Sequence, residues 1–265
     1  MATPPVTAEP AWSASELGDD PHRDPEKAAR VQRMFASIAA RYDLNNRLHS
    51  FGLDQSWRRR AVRAAAPIEG ARVLDVACGT GDLSLAFARA GAGEVIGVDF
   101  TEPMLEIARK KAAKHARFAS ALRFQFGDAT ALEFPDASFD RVSIAFGIRN
   151  VSQPAKAVRE FHRVLKPCGR LVVLEFDEPR MPVVRQLARF YTRTIMPMTA
   201  TFIARDRSGA YRYLPRSVET FLDRDSLATL LEQCGFRIVT QQVLSAGVAV
   251  ITTAEAQSAG AVARI

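Results

Sequence analysis

The sequence has no run of eighteen or more apolar residues, so no part of it is expected to span a bilayer as a helix. Its three cysteines, Cys78, Cys168 and Cys234, are widely spaced and odd in number, which argues against a disulfide framework. The four histidines, His22, His49, His115 and His162, show no i, i+4 pairing and no cysteine neighbour, so no metal site is suggested. The first two dozen residues lack the basic stretch and apolar core of a secretory signal. They also carry acids (Glu9, Glu16, Asp19, Asp20) that transit peptides avoid. Rich in proline and alanine, residues 1–25 read as a disordered tail, and the small, unpatterned residues 254–265 are expected to fray. The chain does have positive charge. Its net +7 points to an anionic partner, either nucleic acid or a membrane surface.

At 265 residues one α/β domain with additions is expected, here over residues 26–253. Apolar periodicity predicts helices over Glu26–Ala40 and Gln55–Ala65, which make residues 26–66 an N-terminal helical cap. Strands are expected at Arg72–Val76, Glu94–Val98, Leu122–Phe126, Asp140–Ala145 and Arg170–Phe176. The helices Glu102–His115 and Pro154–Leu165 fall among them, which argues a parallel, doubly wound sheet. Near the end, Asp225 is positioned to cap a helix that Gly235 terminates. Strands Phe236–Val243 and Gly247–Thr252 would then close the sheet as an antiparallel hairpin. Between residues 178 and 217 the alternation stops. From Arg180 to Arg216 there are eight arginines against one acid, Asp206, with apolar and aromatic residues interleaved. An insertion after the fifth strand lies at the ligand edge of the sheet and reads either as a basic lid or as a surface for an anionic, partly apolar partner.

The stretch Val73-Leu74-Asp75-Val76-Ala77-Cys78-Gly79-Thr80-Gly81-Asp82 reads as strand, tight loop and helix start, where such a sheet receives a nucleotide-like ligand. Gly79 and Gly81 allow close backbone approach, and Asp99, ending the second strand, suits ribose hydroxyls. Ser84 stands where a dinucleotide fingerprint needs its third glycine. With Asp75 before the loop, the pattern instead resembles the class I S-adenosylmethionine-dependent methyltransferase signature. Gly127-Asp128-Ala129 follows the third strand; in such enzymes this acid meets the adenine amine and the neighbouring amide a ring nitrogen, although Asp128 also fits a plain turn.

Further motifs are more specific. They are Phe35-x-x-Ile38-Ala39-x-Arg41-Tyr42-Asp43-Leu44-x-Asn46, Trp57-Arg58-Arg59, Phe146-Gly147-Ile148-Arg149-Asn150-Val151, Leu174-Glu175-Phe176 and Tyr211-Arg212-Tyr213-Leu214-Pro215. On these the chain resembles the ubiquinone/menaquinone biosynthesis C-methyltransferases (UbiE/MenG). It departs from that pattern at Asn45, Arg47, Ala145 and Cys168. The resemblance implies a Rossmann-like, seven-stranded class I fold that binds S-adenosylmethionine through Asp75, Gly79, Thr80, Gly81, Asp99, Asp128 and Ala129. It implies C-methylation of a polyprenylated quinol, demethylmenaquinol to menaquinol, with Arg149, Tyr42 and Asn150 at the chemistry; a soluble small molecule is the alternative substrate. Arg149 reads either as the cation that holds a phenolate or as half of a structural ion pair. The expected partners are the lipid-soluble quinol and, transiently, an anionic membrane surface, with a cytoplasmic location peripheral to the inner face. Nucleic acid is not expected, because no base-amine motif, RNA-binding module or lysine-rich tail is present. Oligomeric state is left open.

Overall fold

The computed structural model describes residues 11, 12, 17, 20–196, 198, 199 and 209–257. Its helices α1 (Lys27–Ile38), α2 (Tyr42–His49) and α3 (Leu53–Ala64) precede the sheet. Then come β1 (Arg72–Val76), α4 (Asp82–Arg89), β2 (Glu94–Asp99), α5 (Glu102–Ala113), α6 (Ala116–Ala119), β3 (Leu122–Phe126) and β4 (Phe139–Ala145). The rest is α7 (Pro154–Val164), β5 (Leu165–Phe176), α8 (Pro182–Phe190), α9 (Ala210–Glu219), α10 (Arg224–Gln233), β6 (Phe236–Leu244) and β7 (Ala249–Ala256).

The seven strands lie in the order β3-β2-β1-β4-β5-β7-β6, with β7 antiparallel to both neighbours. Chain order reverses between β1 and β4, so the C-terminal ends of these strands diverge into a crevice. Central strands read as nearly unbroken apolar runs because helices cover both faces. Along β1, Val73 enters one core layer while Leu74 and Val76 enter the other, the alternation that period-2 geometry requires. In α7 the stripe Val158, Phe161 and Val164 is fully buried. Burying each such side chain contributes roughly 1.5–3 kcal/mol.

Three expectations need correction. Residues 1–25 are not free throughout. Trp12 is 1% exposed, its ring stacked on Tyr213 with centroids 4.9 Å apart, and Asp20 caps a short turn at Pro21–Arg23. The aromatic ring outweighs the polar composition around it. Fraying does not begin at Ala254, because β7 runs to Ala256 and pairs with both β5 and β6, burying Ala254 and Ala256. Asp223, not Asp225, caps α10; its carboxylate accepts the Ser226 N–H at 2.9 Å, while Asp225 pairs with Arg180.

Candidate active site

Two adjoining spaces open at the switch point. The smaller, about 100 Å³, is lined from the ends of β1, β2, β3 and β4 by Val76, Ala77, Gly79, Asp99, Phe100, Gly127, Asp128, Ala129, Phe146 and Asn150. Ala77 and Phe146 hold positive φ of 52° and 57° on either side of it. Such strain in non-glycine residues concentrates where a ligand is clamped. Gly147 brings the two loops together, since a Cβ there would sit 2.6 Å from the Ala77 Cβ.

Asp99 organises this pocket. Its Oδ2 accepts the Gly79 N–H at 2.8 Å and its Oδ1 accepts the Thr101 N–H at 2.9 Å. Burial pushes its carboxyl above the usual range, although both amides favour the charged form. Gly79 has φ 55°, and a Cβ there would meet nothing nearer than Tyr42 Cε1 at 4.0 Å. The protein itself leaves that space open, so the glycine and the strand-end acid fit an adenosyl cofactor. Asp128 and Ala129 line the far end, where the Asp128 Oδ1 also accepts the Thr130 N–H at 2.8 Å in a turn.

Asp75, Thr80 and Gly81, also expected at the cofactor, do not line this pocket. Asp75 is 1% exposed and faces the α4 side of the sheet, where Ser84 Oγ donates to Oδ2 at 2.6 Å and Ser143 Oγ to Oδ1 at 2.9 Å. The Ser84 that departs from the dinucleotide fingerprint is the partner of this acid. Thr80 Oγ1 donates to Asp43 at 2.6 Å, and Lys111 joins Asp43 and Asp82 at 2.5 Å each, which fastens α2 to the cofactor loop. Gly81 has φ 81° and packs on Phe124 and Ala108; a Cβ would approach the Phe124 ring to 2.9 Å.

Burial pushes the Asp75 carboxyl up to about 6, despite the two serine donors. A folded-state pKa above the unfolded one means that the native state binds the extra proton, so stability falls as pH rises from about 4 through 6. A tenfold difference in proton affinity between the two states is worth about 1.4 kcal/mol. Asp75→Asn should therefore raise stability at pH 7 by about 1–3 kcal/mol, and by less at pH 5. Cofactor affinity should change less than about threefold. Urea unfolding at both pH values, with calorimetric titration of the cofactor, checks this. A large loss of affinity would return Asp75 to the ligand.

The larger space, about 430 Å³, is mostly apolar and lies under α1, α2, α3, α8 and α9. Its walls include Met34, Ile38, Trp57, Phe176, Leu187, Tyr191, Leu214 and Val218. Phe35, Tyr42 and Phe146 line both spaces, so the two meet at those side chains. Trp57, Phe146 and Phe176 form an aromatic cluster, with the Phe146 and Phe176 centroids 4.5 Å apart. Tyr42 bonds to Asn46, and burial raises its phenol, so at neutral pH it keeps its proton and is no base.

Arg149 is 5% exposed and paired with Glu175, Nη1 to Oε1 at 2.6 Å; the same Nη1 donates to the Phe146 carbonyl at 2.8 Å. The ion-pair reading is thus realised, even though the guanidinium also lines the cavity. Asn150 donates from Nδ2 to the Phe146 carbonyl at 3.1 Å and accepts the Tyr213 hydroxyl at 3.0 Å. Sequence reasoning names Glu175 within a motif without giving it a role, and it misses Lys27. An acid between Leu174 and Phe176 in an apolar strand is the available signal for the first; Lys27 gives none. The expected lid segment 178–217 contributes α8 and α9. Three of its arginines are neutralised, Arg180 by Asp225, Arg189 by Glu178 and Arg193 by Glu219, and Arg205 and Arg207 lie outside the described residues.

A family model described as the ubiE/COQ5 methyltransferase family matches residues 24–255. The chain is 48% identical over 219 residues to the demethylmenaquinone methyltransferase of Thermus thermophilus, covering 82% of this chain and 97% of that one. It is 42% identical over 236 residues to the ubiquinone/menaquinone biosynthesis C-methyltransferase UbiE of Geobacter sulfurreducens, covering 88% and 91%. A solved SAM-dependent methyltransferase from Thermotoga maritima, a possible histamine N-methyltransferase, shares the fold with a TM-score of 0.60 at 22% identity, covering 85% and 99%. Matched across nearly all of its length, and with a crevice suited to an adenosyl cofactor, the chain belongs to the ubiE/COQ5 methyltransferase family of S-adenosylmethionine-dependent enzymes.

Proposed function

We propose that the protein methylates a ring carbon of a polyprenylated quinol, with demethylmenaquinol as the substrate. The observation that carries this reading is the direct junction of the cofactor pocket and the apolar cavity at Phe35, Tyr42 and Phe146. A flat ring at that junction has room behind it for an isoprenoid chain. The names of the Thermus and Geobacter relatives support the same reaction class.

Bound S-adenosylmethionine supplies an electrophilic methyl group. The residues bear on the acceptor ring. A quinol hydroxyl with a pKa of about 10 is about one-thousandth ionised at pH 7, and full ionisation is worth roughly 4 kcal/mol. Tyr42, protonated, donates to the ring oxygens and orients them. Arg149 sets the field at the ring, its charge shared with Glu175, which leaves less of it for a phenolate than a lone cation would give. Asn150 shapes the cofactor side of the junction, Asp99 holds the ribose, Gly79 leaves room for it, and Asp128 with Ala129 reads the adenine. Excluding water from the aromatic cluster strengthens each of these interactions.

The tail and the headgroups are assigned to the membrane side. No helix among the described residues is long and apolar enough to cross a bilayer. The cavity wall nevertheless includes Phe51 (78% exposed) and Leu187 (65%), and α8 also exposes Val183 (68%) and Phe190 (59%). Exposed apolar side chains of this kind suit a lipid surface, and the surplus of arginine suits anionic headgroups.

The test is transfer of label from S-adenosylmethionine to demethylmenaquinol and to a demethylated benzoquinol, each offered reduced and oxidised. Label should enter the reduced lipids alone, with the naphthoquinol preferred. If neither ring accepts label while the cofactor binds, the substrate reading fails.

A further inference from the structure

The N-terminal segment expected to be a loose tail converges on the loop that carries Asn150. Lys27, at the start of α1, is 1% exposed. Its ammonium donates to the Arg149 carbonyl at 2.8 Å and the Val151 carbonyl at 2.7 Å, so it grips the peptide on both sides of Asn150. The third contact, at 3.0 Å, is to His22 Nδ1. With Nδ1 accepting from the ammonium, the imidazole proton sits on Nε2 and is donated to the Ser217 carbonyl of α9 at 2.9 Å. From the other side, Tyr213 of α9 donates to the Asn150 amide oxygen, and Trp12 stacks on that tyrosine at an interplanar angle of 19°. Gly209, just before α9, has φ 83°, and a Cβ there would lie 2.6 Å from the Trp12 carbonyl. The contact tolerates no side chain at that position.

A charged lysine is buried so completely only where its donors are satisfied. Here three acceptors take them, and two belong to a loop that lines the cofactor pocket. We propose that Lys27, backed by His22 and the Trp12 strap, is a positioning residue for methyl transfer, which fixes the Asn150 loop against α9 at the junction of cofactor and substrate. This rests on the methyl-transfer reading above. Reactions between two bound partners are sensitive to such placement, a displacement of about 1 Å costing up to about 100-fold in rate.

The groups facing the ammonium are His22, Asp20 and Arg149, the last paired with Glu175. Burial, then Arg149, lowers Lys27 to about 8, and burial keeps His22 neutral at pH 7. Loss of the Lys27 proton leaves two donors for three acceptors, so the grip loosens at high pH.

The experiment uses the full chain, with labelled S-adenosylmethionine and demethylmenaquinol. Lys27→Met should lower kcat about 10- to 100-fold while the cofactor Kd and the quinol KM stay within about threefold. His22→Gln keeps one acceptor and one donor and should retain kcat, whereas His22→Leu should lose it in part. The ratio of wild-type to Lys27→Met kcat should fall above about pH 8. Val158→Ala, in the α7 core, is the control for lost stability and should keep kcat. If Lys27→Met keeps kcat within twofold, or if Val158→Ala loses as much at an equal drop in Tm, the positioning role is overturned. If the wild type transfers no methyl group, it is the functional reading that fails, and calorimetry of the cofactor with hydrogen exchange of the 148–151 loop in Lys27→Met still decides whether the grip exists.

Discussion

Replacing Glu175 with leucine is expected to cost about 3–5 kcal/mol of stability, the range for removing one partner of a buried ion pair. Arg149 and Glu175 are both almost fully buried, with side-chain exposures of 6% and 4%, so loss of the carboxylate leaves a largely desolvated guanidinium without its counter-charge. The Glu175 Oε2 also accepts the Arg149 N–H at 3.3 Å, and Oε1 accepts the Phe176 N–H at 2.8 Å, so two backbone donors lose their partner as well. For a chain of this size the melting temperature should fall by roughly 10 °C, at about 2–4 °C per kcal/mol. Pairing Glu175→Leu with Arg149→Met should recover most of the loss, because an apolar pair of similar volume no longer buries charge. Turnover should not recover. Arg149 lines the cavity at the quinol end, and the double variant lacks this cation. Thermal melts with steady-state kinetics on all three variants separate the roles. Full activity in a stable double variant would make Arg149 a structural residue alone.

The sheet is legible because its parallel strands are short apolar runs bounded by glycine and acids. Arg72–Val76 is placed to the residue, and the expected Glu94–Val98 falls one residue short of the observed Glu94–Asp99. The direction of a single side chain is less so. Asp75 sits mid-strand, and a strand sends neighbouring side chains to opposite faces, so spacing alone cannot decide between crevice and core. The hydroxyls of Ser84 and Ser143 decide it, and Ser143 lies opposite Asp75 on β4, a pairing that no local pattern encodes. Trp12 illustrates the same limit at longer range. Its partner Tyr213 lies at the far end of the chain, and composition averages over one well-placed ring. The departure at Asn45 has a cost that sequence does not reveal: the residue is 1% exposed, and neither atom of its amide finds a partner among the described residues. A buried polar group in that state opposes folding by about 1–3 kcal/mol.

The cofactor half of the site should respond most sharply at Asp99. Asp99→Asn is expected to weaken S-adenosylmethionine binding about 100-fold while the fold persists. The carboxylate accepts from the Gly79 and Thr101 amides on separate oxygens. Asparagine offers one acceptor and one donor group, so one of those amides must face an N–H. That mismatch costs about 1–3 kcal/mol, and a charge-assisted bond to a ribose hydroxyl is lost besides. The mismatch is present with or without the cofactor and lowers stability alone, whereas the lost charge-assisted bond, about 1.5–3 kcal/mol at about 1.4 kcal/mol per tenfold in Kd, reaches the expected range. The titration supplies an independent check. Burial raises the Asp99 carboxyl above the usual range, so wild-type affinity should decline in mildly acidic buffer as the acceptor is protonated. The asparagine variant has nothing to titrate at this position, so its affinity should stay flat over the same interval. Calorimetric titration of the cofactor at several pH values measures both effects. Equal affinity in the two proteins would remove Asp99 from the ribose and leave it only the task of holding the Gly79 turn.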